Sequence, residues 1–222
     1  MTYILPMLSV LVGYAVALML RPKSDQGIKL LLAFSGSYLL SITVLEFLPE
    51  IYKSGLPHIG LFIMGGILLQ IILEFFSKGA EHGHLHFDQE ESRLPWLLLA
   101  SLSIHAVLEG FHLHDRAHLL QGVALHKLPV AIILSSFLLG SKISKAKGLL
   151  FLVIFGLMTP LGSWVSQWFP QLMQWEVYIN AVVVGIFLHI STTILFEASK
   201  NHRFNATKMA TIIIGFLIAY FT

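Results

Sequence analysis

The sequence predicts an all-α integral membrane protein, an eight-helix transmembrane bundle, on three observations. Apolar residues make up 56% of the 222-residue chain and charged residues only 12%, too little polar material to coat a water-soluble globule of that size. The apolar residues gather into eight runs that approach the ~20 residues needed to cross a hydrocarbon core. The Lys and Arg residues between those runs fall almost entirely on one side, the side that is retained in the cytoplasm.

In chain order, Tyr3–Leu20 has no basic segment before it and no small-residue cleavage pattern ahead of Arg21 and Lys23. It reads as a first span and not as a removed signal. Leu30–Pro49 and Pro57–Phe76 follow, then the longest connection, the polar Ser77–Leu94. Pro95–Leu113 opens on a residue suited to the first turn of a helix, and Leu119–Leu139 returns. Gly148–Phe169, Val177–Phe196 and Met209–Phe221 complete the set, the last with a short apolar core. No connection has room for a second soluble domain, so residues 1–222 form a single transmembrane domain with a histidine-bearing loop at 77–94.

With eight spans, Arg21, Lys23, Lys29, Lys78, Arg93, Lys142, Lys145, Lys147, Lys200, Arg203 and Lys208 share one side, against Lys53 and Arg116 on the other. Adding or deleting one central span would scramble that contrast. Both termini are therefore expected outside the cytoplasm, with 77–94 inside it. The expected location is the plasma, or cell inner, membrane. A net charge of +2 spread over short loops asks for no nucleic acid. With no cysteine there is neither a disulfide framework nor a thiolate ligand, which leaves eleven histidines and the carboxylates as metal chemistry.

Two runs place ionisable side chains deep inside apolar spans, where each is a functional suspect: His105-Ala-Val-Leu-Glu109-Gly110 and His126-Lys127-Leu-Pro129-Val130-Ala131. His105 lies ten residues after Pro95, about 15 Å into a core about 30 Å thick. Glu109 and His112 follow at i+4 and i+7 on the same helical face. His126 reaches similar depth from the opposite direction, roughly 11 Å from its end of span five, and His189 lies about 18 Å into span seven. Three imidazoles at comparable depth suggest one shared site. Imidazole nitrogen and carboxylate oxygen suit zinc and similar divalent ions, and an i,i+4 His and Glu can face one ion. The alternative for His105 and Glu109 is an interhelical hydrogen bond that holds the bundle together; for His126 and His189 it is a neutral imidazole satisfied by one carbonyl. Lys127 requires an acid or water nearby, and Glu109 is the candidate. Pro129 is expected to open its helix and free carbonyls for an ion or water.

Glu46 and Glu50 lie at i,i+4 near the outer end of span two, as an acidic vestibule or as interfacial residues in contact with water. His112, His114, Asp115 and His118 crowd the outer turn between spans four and five, a loading or sensing cluster or a solvated turn. In the cytoplasmic loop, His82, His84 and His86 alternate around Gly83, a spacing that gives weak, exchangeable coordination rather than a closed structural site.

Taken together, the histidine-bearing loop between spans three and four, His105-x-x-x-Glu109-Gly110 and His126-Lys127 resemble the ZIP family of divalent-metal transporters. Leu48-Pro49-Glu50 and Phe187-Leu188-His189 are similar to that family's motifs in spans two and seven. The resemblance covers nearly the whole chain in layout. It implies a 3+2+3 arrangement with an inverted repeat of spans one to three and six to eight, and a transport site built from spans four and five. The chain departs from the pattern at Ala106, Lys127 and Val130, at Glu46 in place of a histidine, in a short link from His112 to His118, and at Phe196 in place of a proline. A two-metal centre is not expected. A one-metal site with Lys127 as a tethered cation is compatible with transport.

The expected function is transport of a divalent cation into the cytoplasm, zinc first with iron or manganese as alternatives. Glu46, Glu50 and His112 would gather it, His105, Glu109, His126 and His189 would bind it, and His82, His84 and His86 would receive it. The ion is substrate, and no prosthetic group is expected. The protein is not expected to be an enzyme, and the chain has no nucleotide-binding loop. The rival reading is an intramembrane zinc-dependent hydrolase with Glu109 activating water; a haem-binding electron carrier is a third. The bilayer is the expected partner, and a homodimer is compatible with the sequence.

Overall fold

A computed structural model describes residues 3–20, 25–77, 79, 94–111, 113, 117–197 and 206–222. The described residues form eight apolar helices and no strand. Helix α1 spans Ile4–Leu20. Helix α2 runs from Asp25–Ile42 through a π-helical turn, Thr43–Phe47, into Leu48–Lys53. Ile59–Ser77 is α3, Trp96–Phe111 α4, Ala117–Gly140 α5 and Lys145–Trp168 α6. A 3-10 turn, Pro170–Trp175, leads into α7, Glu176–Glu197, and Ala206–Phe221 is α8.

Among the described residues, five stretches are long and apolar enough to cross a membrane: Gln26–Lys53, Ile59–Ser77, Ala117–Gly140, Lys145–Trp168 and Gln171–Phe196. Helices α1, α4 and α8 are shorter, at 17, 16 and 16 residues. Many helix faces present large apolar side chains outward, among them Leu61, Met64, Leu68 and Phe75 of α3 and Ile213, Leu217 and Phe221 of α8. Such faces suit hydrocarbon, not water.

Two local features depart from the expected spans, and proline bears on both. In α2 the helix does not stop at Pro49 but continues to Lys53. The Pro49 ring would clash with the carbonyl four residues back, and the turn before it widens: the Leu48 N–H bonds the Thr43 carbonyl in π fashion. In α5 the expected opening at Pro129 does not occur. The helix is continuous from Ala117 to Gly140, so the missing N–H costs the single bond to the Leu125 carbonyl and the neighbouring turns close around it.

The helices pack in pairs, α1 on α5, α3 on α7, α4 on α6 and α2 on α8. Glycine sits at each of these contacts, Gly13 between α1 and α5 and Gly215 between α8 and α2 among them, and at two it comes from both helices. A Cβ added at Gly110 of α4 would collide with the Thr159 carbonyl of α6, and one at Gly162 of α6 with the Val107 carbonyl of α4. Gly66 and Gly185 bring α3 and α7 together in the same reciprocal way, as small residues do wherever membrane helices approach backbone to backbone.

Two apolar cores result. One joins α2, α3, α7 and α8 with the first turns of α5, through Tyr38, Phe47, Val123, Val184 and Phe187. The other joins α1, α4, α6 and the later turns of α5, through Val10, Leu102, Ala106, Ala131 and Phe155. Helix α5 contributes to both, and the crossover lies beside His126.

Gly110→Val should force α4 and α6 apart and lower the melting temperature in detergent, since overpacking costs about 1–3 kcal/mol. Gly65→Ala, on an exposed turn where an added Cβ meets nothing within 4 Å, should leave it unchanged or higher.

Candidate metal centre

Among the described residues, the buried carboxylate of Glu109 and the buried ammonium of Lys127 meet between α4, α5 and α6. On α4, His105 and Glu109 are one turn apart, with His105 Nε2 3.1 Å from Glu109 Oε2. The other oxygen of Glu109 receives two groups from outside its own helix. Lys127 Nζ of α5 lies 2.9 Å from Oε1, and the Thr159 hydroxyl of α6 donates to it over 3.2 Å. One residue further along α4, the Ser163 hydroxyl donates to the Gly110 carbonyl over 2.8 Å, a second tie across the glycine contact.

His126, adjacent to Lys127 on α5, sets its ring edge-on to His105, with centroids 6.4 Å apart and planes at 82°. The face of Phe155 covers the ammonium from the other side, 4.7 Å from Nζ. His105, Glu109, His126 and Lys127 are each no more than 3% exposed. Together with Leu102, Val130 and Phe155 they line a cavity of about 10 Å³, the scale of one water or one small ion.

Placing a carboxylate and an ammonium together in such an interior is costly in desolvation, and their attraction offsets that cost only with close geometry. The partner required for Lys127 is therefore Glu109, supplied by the close approach of α4 to α6 that fixes the carboxylate from behind.

The structure brings His105, Glu109 and His126 onto one cavity. His189 is not among its lining residues. It pairs instead with Glu74 of α3, His189 Nε2 to Glu74 Oε2 at 2.7 Å. The reason is rotational: depth along a helix does not say which neighbour a side chain faces, and Gly66 and Gly185 turn this part of α7 toward α3. Glu46 lies at the surface, where His118 Nδ1 is 2.9 Å from its Oε1. Glu50 is exposed one turn on. His112, His82, His84 and His86 lie outside the described residues. Among the described residues, no three imidazole or carboxylate groups stand close enough together to enclose an ion; His105 and Glu109 offer two donors and His126 faces them across the cavity.

Sequence reasoning passed over Thr159, Phe155 and Glu74. Glu74, an acid in the last turn of an apolar run, carried a signal that could have been read. Thr159 and Phe155 resemble any other residues of an apolar span, and only packing reveals them.

Glu109→Ala should destabilise the protein by about 3–5 kcal/mol by leaving the Lys127 ammonium buried and alone. Adding Lys127→Met should recover most of that loss, as read by denaturation of the two variants in detergent; equal stability of single and double variants would mean that the charges do not meet.

Compared with protein-family models and with characterised proteins, the chain matches none.

Proposed function

We propose that the protein carries a divalent metal cation, zinc foremost, across a membrane into the cytoplasm, in the manner of the ZIP transporters it resembles. The observation that carries this reading is the ion-sized cavity faced by His105, Glu109 and His126 within an apolar helix bundle. Imidazole nitrogen and carboxylate oxygen are the donor set for zinc and its neighbours, and ionisable residues at such depth mark ion pathways in membrane proteins. The same cavity volume favours an ion over the organic substrate that an intramembrane hydrolase would need.

In this reading all eight helices cross the bilayer, with both termini outside. The ion gathers at Glu46, Glu50 and His112, is stripped of water at His105, Glu109 and His126, and is taken up by His82, His84 and His86. His189 contributes from the α3–α7 seam, beside Glu74. The ion is substrate and no ATP is used. The protein acts in the plasma membrane, alone or as a homodimer.

Zinc flux into proteoliposomes tests the reading. Wild type should transport and His105→Ala should not; full activity in that variant would refute the site. Protons compete with metal for imidazole and carboxylate, so flux should fall as the pH drops through the usual histidine range near ~6.5. Topology is tested separately, since the chain has no cysteine of its own. A cysteine at Ser54 should react with an impermeant thiol reagent from outside intact cells, and one at Ser144 only after permeabilisation. The reverse pattern would turn the transport direction around.

A further inference from the structure

We propose that Thr159 is the positioning residue of the Glu109 site: with Lys127, its hydroxyl holds one carboxylate oxygen, Oε1, and so presents the other, Oε2, as the oxygen an incoming cation meets. The orientation is a property of the fold; the incoming cation rests on the transport reading.

Glutamate does not choose between its two oxygens by itself. The last torsion of the side chain is broad and roughly two-fold, so a half turn exchanges Oε1 and Oε2 at little cost. Lys127 does not choose either. An ammonium is a compact charge with three rotatable donors, and the one standing 2.9 Å from Oε1 would serve Oε2 as well. A directional donor fixed on another helix breaks the tie. The Thr159 hydroxyl, fully buried and 3.2 Å from the same Oε1, is that donor. Oε2 accepts no hydrogen bond of good geometry among the described residues. It stands 3.1 Å from His105 Nε2, and Glu109, His105 and His126 line one cavity.

Thr159 forgoes a nearer partner to do this. A helical Ser or Thr has a carbonyl three or four residues back within reach of its hydroxyl, and Ser35, Thr43, Ser136 and Thr193 all bond to theirs. Thr159 turns to the neighbouring helix instead, as Ser163 does one turn later toward the Gly110 carbonyl. Its own backbone lies against Gly110, the residue after Glu109, so closely that an added Cβ there would collide with the Thr159 carbonyl. The hydroxyl is therefore fixed relative to the carboxylate it serves.

Phe155, Thr159 and Ser163 follow one another at i, i+4 and i+8 along one face of α6. Each contact matches the charge in front of it. The Phe155 ring face meets the Lys127 ammonium at 4.7 Å, and the Thr159 hydroxyl donates to the Glu109 carboxylate. An aromatic face attracts a cation, and a hydroxyl donor favours an anion. Without an ionisable group among the three, this face of α6 complements both members of the buried pair and holds them in one arrangement.

The test compares Thr159→Val, which removes the hydroxyl at nearly constant volume, with Thr159→Ser, which keeps it. The first readout needs no transport: the infrared carboxylate stretch of Glu109 in the detergent-purified full chain. That band is isolated by subtracting the spectrum of the same protein carrying Glu109→Gln/Lys127→Met, which leaves no buried charge unpaired. The second readout is zinc flux into vesicles as a function of zinc concentration. Thr159→Val should shift the band and raise the zinc concentration for half-maximal flux roughly tenfold, since a hydrogen bond to a charged group is lost. Thr159→Ser should restore both. A threonine that only fills space predicts otherwise: Thr159→Val would leave the band and the half-maximal concentration where they are in wild type.

An unmoved band in folded Thr159→Val overturns the proposal, and so does a shift that Thr159→Ser fails to reverse. Should Thr159→Val not fold, Thr159→Ala takes its place with the same expectations. A band that shifts and is restored, with no change in half-maximal zinc concentration, overturns the assignment of Oε2 to the ion. If wild type carries no zinc, the transport reading fails and the band alone decides whether Thr159 orients the carboxylate.

Discussion

The buried contact between Glu109 and Lys127 constrains the structure around it more than any other interaction. Either group alone, at 1% exposure inside an apolar bundle, would carry an uncompensated charge, and removing one partner of such a pair is among the most damaging changes a fold can suffer. The requirement reaches outward. Lys127 must come from α5 at the level of Glu109, which α5 meets by continuing as a helix through Pro129. The carboxylate must be held from the far side, which Thr159 does because Gly110 and Gly162 let two backbones touch. Phe155 then closes the cavity over the ammonium.

Away from that cluster, two further carboxylate–imidazole pairs among the described residues are interhelical. Glu74–His189 joins α3 to α7 and Glu46–His118 joins α2 to α5. Both combine a carboxylate with an imidazole, the two groups able either to bond each other or to share an ion. The first is partly buried in the seam and the second is open to the surroundings. Their settings differ accordingly: an exposed pair contributes little to stability, whereas a hydrogen bond between membrane helices contributes about 0.6 kcal/mol on average.

Much of the fold was legible from composition and spacing. Every expected span has a helix at its place, because apolar run length is a direct consequence of satisfying the backbone where there is no water. Boundaries were less legible: α2 passes through the proline at which it was expected to stop, since a widened turn can absorb the missing donor. In the site, the His105–Glu109 contact follows from i,i+4 spacing, and the Lys127 partner followed from the cost of an unpaired ammonium. What spacing could not supply was rotation between helices. It placed His189 at the right depth and left its neighbour, Glu74, unseen; it left Thr159 and Phe155 indistinguishable from lipid-facing residues.

The unequal helix lengths have a consequence of their own. At ~1.5 Å per residue, the 16 residues of α4 reach about 24 Å, short of a hydrocarbon core about 30 Å thick, while the 24 residues of α5 and of α6 exceed it. Such a mismatch is relieved by tilting the long helices and thinning the lipid beside the short one. Helix α4 carries His105 and Glu109, so if α4 crosses as the transport reading has it, the bilayer is thinnest beside the deepest charges. In that arrangement the thickness of the surrounding membrane is a variable acting on the site itself: a thicker bilayer would strain the lipid against α4, and a thinner one would relax it.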